Sequence, residues 1–410
     1  MKTVVIMYEH VAREYEICER IKNRLVRDNI AEVYVCSLHF EIDNVYKIAS
    51  KRIIDILVVP YAYKEVSLNK VLLLIKRNRI KVVFNLRHEQ IGAGYNEFKL
   101  YPRDEFTKKH IYHSAWTEFY LERLIEKGVP PEHVIITQNP RSDLLFERND
   151  NKTSEKNDIA KRFGIDATKK WILLCESGYC RTDEKIDVMI HQGYKVQDLY
   201  DYNELVKQDH LSTENQLNNI SAGFLNEYEI IYRPHPGKEN TLKLSDKVHV
   251  ITDESIYWWL NSIDVVVSRM STVLLEAQAR GLKVYRFEPN NTPDKFITYG
   301  LERLPVISRI EEIAEQKNYI YSNDYEEYLG KVDGHAVDVL VNSFNTILSQ
   351  DISMYDDIRI TYRGIFYSAL RAIMSNKLSK FAYNTNWLFL RKFSKSLSVL
   401  SRDIPPEWIR

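Results

Sequence analysis

The chain has 410 residues, and because single cores stop growing at roughly 250–300 residues, two domains are expected. Its 57 basic and 57 acidic residues give a formal net charge of zero, so a chain-wide field that attracts nucleic acid is not expected. Four scattered cysteines exclude a disulfide scaffold. The N-terminal apolar run is soon followed by charges, unlike a signal peptide, and no stretch reaches the ~18 apolar residues of a membrane span. We therefore expect a cytoplasmic protein.

The first 150 residues alternate between apolar runs and charged segments with helical periodicity. The runs predict buried parallel strands at Val4–Met7, Val33–Cys36, Ile54–Val59, Val82–Asn85, Ile111–His113 and Val134–Thr137. The intervening segments predict helices over Val11–Asp28 and Glu118–Lys127. Strands that alternate with helices predict βαβ units and a doubly wound, mostly parallel sheet.

Residues 147–169 are polar and charged, which is typical of an interdomain linker. A second α/β series follows, with strands predicted at Trp171–Cys175, Glu229–Tyr232, Val248–Ile251, Asp264–Ser268 and Val284–Phe287. Helices are predicted near Ser255–Asn261 and Thr272–Arg280, and helical material between about Asp183 and Asn226. The fold class is thus α/β, with an N-terminal domain at 1–148, a linker at 149–169, a C-terminal domain at 170–348 and a helical tail at 349–410.

The tail from about Ile358 onward is rich in basic and aromatic residues, and it has no acidic residue between Asp357 and Asp403. A basic, aromatic, amphipathic tail is suited to peripheral contact with an anionic membrane surface, here the inner face of the plasma membrane. Amphipathic helices more often serve protein cores, so packing back across the domains or a homodimer contact is slightly favoured over the membrane contact.

The most informative segment is the apolar strand that runs directly into Arg233-Pro234-His235-Pro236. The two prolines restrict the backbone on both sides of the histidine, so the turn holds His235 at the carboxyl edge of a parallel sheet. Open α/β sheets bind their ligands at that edge. An imidazole and the Arg233 guanidinium there suit the phosphates of a nucleotide, whereas a lone loop histidine would be structural.

Two further turns should meet the same edge. The strand ending at Ser268 leads to Ser271 and Thr272 at the start of a helix that carries Glu276 and closes at Gly281, which predicts an anion site or a plain helix cap. Ser177 follows the strand Trp171–Cys175 in a small turn that lets a ligand approach the backbone.

The first domain offers titratable groups at its own sheet edge. His88 and Glu89 follow the strand Val82–Asn85 and precede a glycine-rich stretch, so this loop could offer a general base or a nucleophilic carboxylate. The alternative is a charged surface loop. Asn139 and Arg141 lie in a similar turn after the strand Val134–Thr137.

These segments, in this order, resemble the GT-B glycosyltransferases, in particular bacterial capsule and lipopolysaccharide enzymes. The motifs that carry the resemblance are His88-Glu89-Gln90, the turn Gln138–Asp143, Arg233–Pro236, and Ser271-Thr272 with Glu276. Relatives often have glycine at the first position of Gly-Asn-Pro-Arg, where this chain has Gln138. The Arg-Pro-His-Pro turn also resembles teichoic-acid glycerophosphotransferases and CMP-sugar transferases. The resemblance covers roughly residues 1–345 and leaves out the tail.

The resemblance implies an enzyme of two Rossmann-like domains with a cleft between them, and a metal-independent reaction without a cofactor. The donor would be a nucleotide-linked sugar held by Arg233, His235, Ser177, Ser271, Thr272 and Glu276. The acceptor would be a glycan or a lipid-linked glycan, with Glu89 or His88 as catalytic groups and Asn139 and Arg141 nearby. A CMP-linked acid sugar such as Kdo is mildly favoured over UDP- or GDP-sugars. CDP-glycerol or CDP-ribitol transfer, a non-catalytic scaffold and a sugar epimerase remain alternatives.

Overall fold

The computed structural model describes residues 1–147, 152–235, 242–316, 318–355, 364–384 and 403–409. The chain divides into two compact units. The first unit comprises residues 1–90, 101–141 and 335–410, and the second comprises residues 91–100 and 142–334. The prediction ended the second domain at residue 348, whereas the first unit already takes up the chain again at His335.

Each unit is built on a parallel sheet of six strands. The first sheet contains β1 (Lys2–Tyr8), β2 (Ala31–Ser37), β3 (Ile54–Val59), β4 (Ile80–Asn85), β5 (Tyr112–Ala115) and β6 (Val134–Ile136). The second contains β7 (Lys170–Cys175), β8 (Tyr228–Arg233), β9 (Val248–Val250), β10 (Val265–Ser268), β11 (Lys283–Phe287) and β12 (Val306–Ile307). All eleven predicted strands are present, and β12 was not predicted because its two residues carry no periodic signal.

The helices lie between the strands and in the C-terminal part. They are α1 (Glu16–Arg27), α2 (Ile42–Lys51), α3 (Leu72–Lys76), α4 (Glu105–Lys109), α5 (Glu118–Glu126), α6 (Ser142–Phe146), α7 (Lys152–Phe163), α8 (Asp183–His191), α9 (Val196–Asn218), α10 (Ala222–Glu227), α11 (Ile256–Leu260), α12 (Val273–Ala279), α13 (Glu312–Glu315), α14 (Tyr325–Leu329), α15 (Ala336–Gln350), α16 (Ile365–Asn384) and α17 (Pro406–Ile409). Within the described residues, none of them is long and apolar enough to cross a bilayer.

The order of the strands shows where the chain reverses its direction across each sheet. The first sheet runs β2-β1-β3-β4-β5-β6 and the second β12-β11-β10-β7-β8-β9. The chain therefore changes direction across the sheet between β1 and β3 in the first unit, and between β7 and β10 in the second. Such a switch point leaves a crevice at the carboxyl ends of the two strands, where doubly wound folds bind their ligands.

The chain after residue 335 completes the first unit. Phe344 of α15 is fully buried and packs edge-on against Phe84 of β4, with ring centroids 4.9 Å apart. The hydroxyl of Tyr355 accepts a hydrogen bond from the backbone N–H of Val83 at 3.2 Å and donates to the carbonyl of His110 at 2.9 Å. These contacts join the C-terminal segment to the core of the first sheet.

Part of the predicted tail lies within the described residues, namely 364–384 and 403–409. Helix α16 packs against α2 and α3, and its buried Asn376 accepts a 2.7 Å hydrogen bond from the backbone N–H of Ile42. The same helix exposes Phe366 and Leu378. The described part of the tail thus packs back onto the first unit, and contact with a membrane or a second copy stays a prediction.

Candidate functional site

The turns after β7 and β10 lie at the switch point of the second sheet. Cys175 of β7 is tied to β10 by the Ser268 hydroxyl, which donates to the Cys175 carbonyl at 2.8 Å. The predicted residues Ser177 and Ser271 therefore follow neighbouring strands. Ser177 Oγ accepts a hydrogen bond from the backbone N–H of Met270 at 3.0 Å, so the two turns are also joined directly.

The carboxylate of Glu176 connects a third turn to this point. Its side chain is 5% exposed, and Oε2 accepts the backbone N–H of His235 at 3.0 Å. Its Oε1 lies 2.9 Å from Nε2 of His210 on α9. The backbone of His235 is thus held at the sheet edge as the two prolines predict, while its ring lies 5.8 Å from that of Tyr179. The predicted site omitted Glu176, although its position directly after a buried strand is a recognisable signal.

Arg269 is the second residue that sequence reasoning missed here. It is 7% exposed, forms an ion pair with Asp209 of α9, and donates from Nη2 to the Ser177 carbonyl at 3.3 Å. Burial raises the pKa of Asp209, and the charge of Arg269 opposes that shift. These groups surround a cavity of ≈ 40 Å³. That volume holds a water molecule but not a nucleotide, so a donor would bind outside it along the sheet edge.

Arg233, which was predicted to bind phosphate, already has hydrogen-bond partners within the protein. Arg233 donates from Nη1 to the carbonyl of Asp253 at 2.8 Å and from Nη2 to that of Glu254 at 2.5 Å. Burial lowers the pKa of this guanidinium. Arg233 therefore fixes the loop after β9, and a phosphate would share its charge with two carbonyl dipoles. Pro236, the last residue of the predicted turn, lies outside the described residues.

At the start of α12, the two hydroxyls differ. Ser271 Oγ accepts a long hydrogen bond of 3.4 Å from the backbone N–H of Val273, whereas the Thr272 side chain makes no capping bond. Glu276 is 6% exposed on the same helix. The helix ends at Ala279, and Gly281, two residues further on, has φ of 71°, the left-handed conformation that favours glycine after a helix. A phosphate role for Ser271, Thr272 and Glu276 stays a prediction.

In the first unit, Arg87 shapes the loop that follows β4. Its backbone has φ of 37°, its side chain is 5% exposed, and its guanidinium lies 4.7 Å from the ring of Tyr63. Nε donates to the carbonyl of Glu89 at 2.6 Å, which closes the loop on itself. Gln90 joins the loop to β5, because Nε2 donates to the Ser114 carbonyl at 3.0 Å and Oε1 accepts the N–H of Trp116 at 2.7 Å.

Glu89 is an ionised carboxylate at neutral pH. Its side chain is 56% exposed and Oε1 accepts a 2.6 Å hydrogen bond from Nη1 of Arg13. Burial of the carboxyl by surrounding protein favours its neutral form, but the charges of Arg13, Arg87 and Arg141 outweigh this and lower the pKa of Glu89 to about 2. A carboxylate this acidic is a weak general base, because a base is most effective with a pKa near the operating pH. It can still act as a nucleophile or stabilise a developing positive charge.

His88 is buried and neutral. It is 7% exposed, and burial together with the charges of Arg141 and Arg13 lowers its pKa to about 3. Nε2 lies 4.0 Å from the carboxylate of Glu14, beyond hydrogen-bond distance. The imidazole therefore stays uncharged over the neutral range and resists protonation.

Glu14 is a further residue that the sequence analysis missed. It is 2% exposed and accepts the backbone N–H groups of Glu9 at 2.7 Å and His10 at 3.3 Å. Burial raises its pKa. A single helix was predicted over Val11–Asp28, but the chain first forms a π-helical turn at Val11–Tyr15, which brings this carboxylate to the end of β1. Such turns are often found at functional sites.

The turn after β6 adjoins the same loop. Gln138, at the position where relatives often have glycine, has φ of 54°, a left-handed conformation that glycine adopts without strain. The Asn139 side chain accepts the backbone N–H of Arg141 at 3.1 Å, so Asn139 shapes the turn. Arg141 Nη1 donates to the His88 carbonyl at 3.5 Å, which brings its positive charge beside His88 and Glu89.

Neither a protein-family model nor a curated protein matches this chain. Solved structures do match. A variant of the wall teichoic acid polymerase TagF has a TM-score of 0.52 at 13% identity, over 85% of this chain and 90% of that chain. A UDP-N-acetylglucosamine 2-epimerase has a TM-score of 0.53 at 12% identity, over 89% and 99% of the two chains. A putative UDP-N-acetylglucosamine 2-epimerase from Listeria monocytogenes has a TM-score of 0.51 at 13% identity, over 88% and 100%.

At such low identity these matches show the fold. The chain has two Rossmann-like domains of the GT-B type with a helical C-terminal portion, and the predicted fold class is confirmed. The activity and the roles of individual residues are not settled by fold alone, because one fold hosts many functions.

The turn after β7 predicts a strict requirement for glycine. Gly178 has φ of 86°, and a Cβ added there would lie 2.2 Å from the Tyr202 hydroxyl. We expect Gly178→Ala to lower the free energy of unfolding by about 1–3 kcal/mol, from the backbone strain and from displacement of Tyr202. Gly223→Ala is the matched control, because a Cβ at Gly223 in α10 meets nothing within 4 Å and alanine favours the helix. Urea unfolding measures both; equal effects would contradict the prediction.

His88 predicts a pH dependence of stability. Because its folded-state pKa of about 3 lies below the ordinary value of 6.5, the unfolded chain binds the additional proton between these values. The stability of the native state should therefore fall as the pH drops below about 6.5, by about 1.4 kcal/mol per pH unit from this residue. His88→Gln should remove that share of the slope between about pH 6.5 and 4.5, in urea unfolding at stepped pH. His191→Gln, at an exposed position, is the control; an unchanged slope in His88→Gln would refute the assignment.

Proposed function

We propose that this protein is a glycosyltransferase-type enzyme that binds a nucleotide-activated donor at the switch point of the second unit. The observation that carries the proposal is the meeting of three turns there. Glu176 fixes the backbone of His235, and Ser177 fixes that of Met270. A polar, rigid edge at the switch point of a Rossmann-like sheet is the standard location of a nucleotide ligand.

The structural neighbours support a nucleotide-linked substrate. One of them, a variant of the wall teichoic acid polymerase TagF soaked with CDPG, has a TM-score of 0.51 at 13% identity. The epimerases are named for UDP-N-acetylglucosamine. We propose a CMP-linked acid sugar such as Kdo as the donor, with UDP- and GDP-sugars as the next candidates, and a surface polysaccharide as the acceptor.

The proposed chemistry places the donor phosphates against His235, Arg233 and the hydroxyls of Ser271 and Thr272. Such groups would neutralise charge that develops on the leaving nucleotide, without a metal ion. Glu89, ionised and partly exposed, would face the positive charge that develops at the anomeric carbon. Because its pKa is about 2, Glu89 is better suited to stabilise charge or to act as a nucleophile than to abstract a proton.

A second candidate is transfer of a polyol phosphate from CDP-glycerol or CDP-ribitol. The likeness to the teichoic acid polymerase favours it. In that reaction a histidine would be the base, and His88 would matter more than Glu89, although its pKa of about 3 makes it, like Glu89, a weak base. A non-catalytic scaffold and a sugar epimerase are the remaining alternatives, and each predicts a different outcome in the experiments below.

The donor site is tested by a thermal-shift panel of CMP, CDP, UDP, GDP and ADP. A ligand at 100 times its dissociation constant stabilises the native state by about 2.7 kcal/mol. We expect a cytidine-selective rise in the melting temperature that His235→Ala abolishes. This substitution keeps the backbone N–H that donates to Glu176, so it tests the imidazole alone. Lys247→Ala, at an exposed position of the same unit, is the control.

Other outcomes of the panel separate the alternatives. A UDP-selective shift together with conversion of UDP-N-acetylglucosamine, followed by NMR, would favour the epimerase. A UDP- or GDP-selective shift without conversion would keep the transferase and discard the cytidine preference. The absence of any nucleotide shift would count against the donor site and favour the scaffold.

The catalytic roles are tested by turnover of the donor identified in the panel. For sugar transfer, we expect Glu89→Gln to lower kcat by about 10²–10⁴-fold, because it removes the negative charge, and His88→Gln to lower it less. For polyol-phosphate transfer the order should reverse. Glu122→Gln, on an exposed position of α5, controls for a general loss of charge. Full activity in both site variants would remove this loop from the chemistry.

A further inference from the structure

A second hollow of ≈ 360 Å³ lies in the second unit, and it shares no lining residue with the switch-point cavity. It is formed by the segment 91–100, the turn after β7 and helix α8. The side chains that the argument uses are three tyrosines and three cations: Tyr95, Tyr179, Tyr194, Lys99, Arg181 and Lys185. Its volume is that of a small-molecule site, whereas the switch-point cavity holds ≈ 40 Å³.

The charge of this hollow is one-sided. None of the described residues that line it is acidic. Lys99 Nζ lies 4.4 Å from the centre of the Tyr194 ring, and Lys185 Nζ lies 4.9 Å from that of Tyr179. Contact with a tyrosine ring attracts an ammonium group and holds it beside the aromatic surface. The hollow therefore presents positive charge beside aromatic surface.

Arg181 supplies an unused donor. Its guanidinium lies 4.2 Å from the ring of Tyr202, and Nη2 donates to the Tyr95 hydroxyl at 3.2 Å. Nη1 is buried and finds no acceptor among the described residues. A buried charged donor without an acceptor is costly. Nη1 itself has almost no surface that a ligand could reach, so an anionic group in the hollow would offset that cost through its charge beside the guanidinium.

The backbone at Arg181 is fixed before any ligand arrives. Its N–H donates to Oδ1 of Asn203 at 3.0 Å, and Nδ2 of Asn203 donates back to the Arg181 carbonyl at 2.9 Å. This reciprocal pair attaches the turn to α9. Little conformational freedom is left to lose on binding, which favours affinity.

We propose that this hollow binds a carbohydrate-derived chain that carries carboxylate or phosphate groups. The anionic group would pair with Arg181, whose planar guanidinium suits carboxylate and phosphate oxygens, while Lys99 and Lys185 add longer-range attraction. The tyrosine rings would contact the apolar faces of the sugar or polyol units. The inference rests on the proposed function in one respect: for a transferase, such a chain is the acceptor.

The test is calorimetric titration of the full chain with three tetramers: of N-acetylneuraminic acid, of glycerol phosphate, and of neutral N-acetylglucosamine. We expect one of the anionic tetramers to bind at least about tenfold more tightly than the neutral one. A preference for N-acetylneuraminic acid identifies a carboxylate-bearing ligand, and a preference for glycerol phosphate a phosphate-bearing one. Raising the ionic strength from about 0.05 M to about 0.5 M should weaken the binding.

Substitutions of the lining residues test whether the tetramer binds in the hollow. Arg181→Gln should weaken it by about tenfold or more, and Lys185→Gln, at an exposed position that should not disturb folding, by about threefold. Lys247→Gln removes a positive charge elsewhere on the same unit and should change nothing. The thermal shift with nucleotide should persist in Arg181→Gln, which separates this inference from the donor site.

Four results would overturn the proposal. They are equal affinity for neutral and anionic tetramers, no binding of any tetramer, unchanged affinity in both Arg181→Gln and Lys185→Gln, and loss of the nucleotide shift in Arg181→Gln. The last result would make the hollow the nucleotide site. If nucleotide binds nowhere but an anionic tetramer still binds through Arg181, the proposed function fails while this site stands.

Discussion

In the second unit, the buried carboxylate of Glu176 accepts the backbone N–H of His235 with one oxygen and approaches His210 with the other. A buried carboxylate is stable only when its oxygens are satisfied, so the partners and the carboxylate determine one another's positions. The turns after β7 and β8 are joined through this group, and the hydroxyl of Ser177 adds the turn after β10. The site proposed at the switch point therefore depends on side chains that hold backbone in place.

The first unit uses charge differently. Arg13, Arg87 and Arg141 surround one loop and lower the pKa values of both Glu89 and His88. Burial and this positive field together keep the imidazole neutral, and the field keeps the carboxylate ionised, because positive charge nearby favours the less positive form of each group. Glu14 has the opposite shift, since burial dominates there. The surroundings thus shift the pKa values of three neighbouring groups, downward for His88 and Glu89 and upward for Glu14. Shifted pKa values of this kind are common at functional sites.

The sequence was sufficient for eleven strands, because each of them is a continuous apolar run bounded by polar residues, whereas the two residues of β12 were missed. It also located the turn that holds His235, since proline restricts its own backbone and that of its neighbour. Glu14 could not be found in this way. Its role depends on a π-helical turn that one local periodicity does not distinguish from an α-helix.

Ion pairs and hydrogen bonds between residues far apart in the chain could not be predicted from the sequence either. Arg269 was missed because its partner Asp209 is 60 residues away, and no local pattern connects a loop arginine to one carboxylate on a long helix. Arg233 was expected to offer a free cation, but two carbonyls from the loop after β9 engage it. The donor roles of Ser271, Thr272 and Glu276 stay predictions for the same reason: sequence locates a turn at a sheet edge, and only a bound ligand shows which of its atoms are used.

The interrupted course of the first unit bears on the order in which the protein forms during synthesis. Its sheet is complete by residue 136, but Phe344 and Tyr355, which pack against that sheet, are added only after the whole second unit has been translated. Until then part of an apolar sheet face stays uncovered on the nascent chain, where exposed apolar surface promotes aggregation and recruits chaperones. The second unit is almost continuous and can close first, so maturation should finish at the N-terminal sheet rather than begin there.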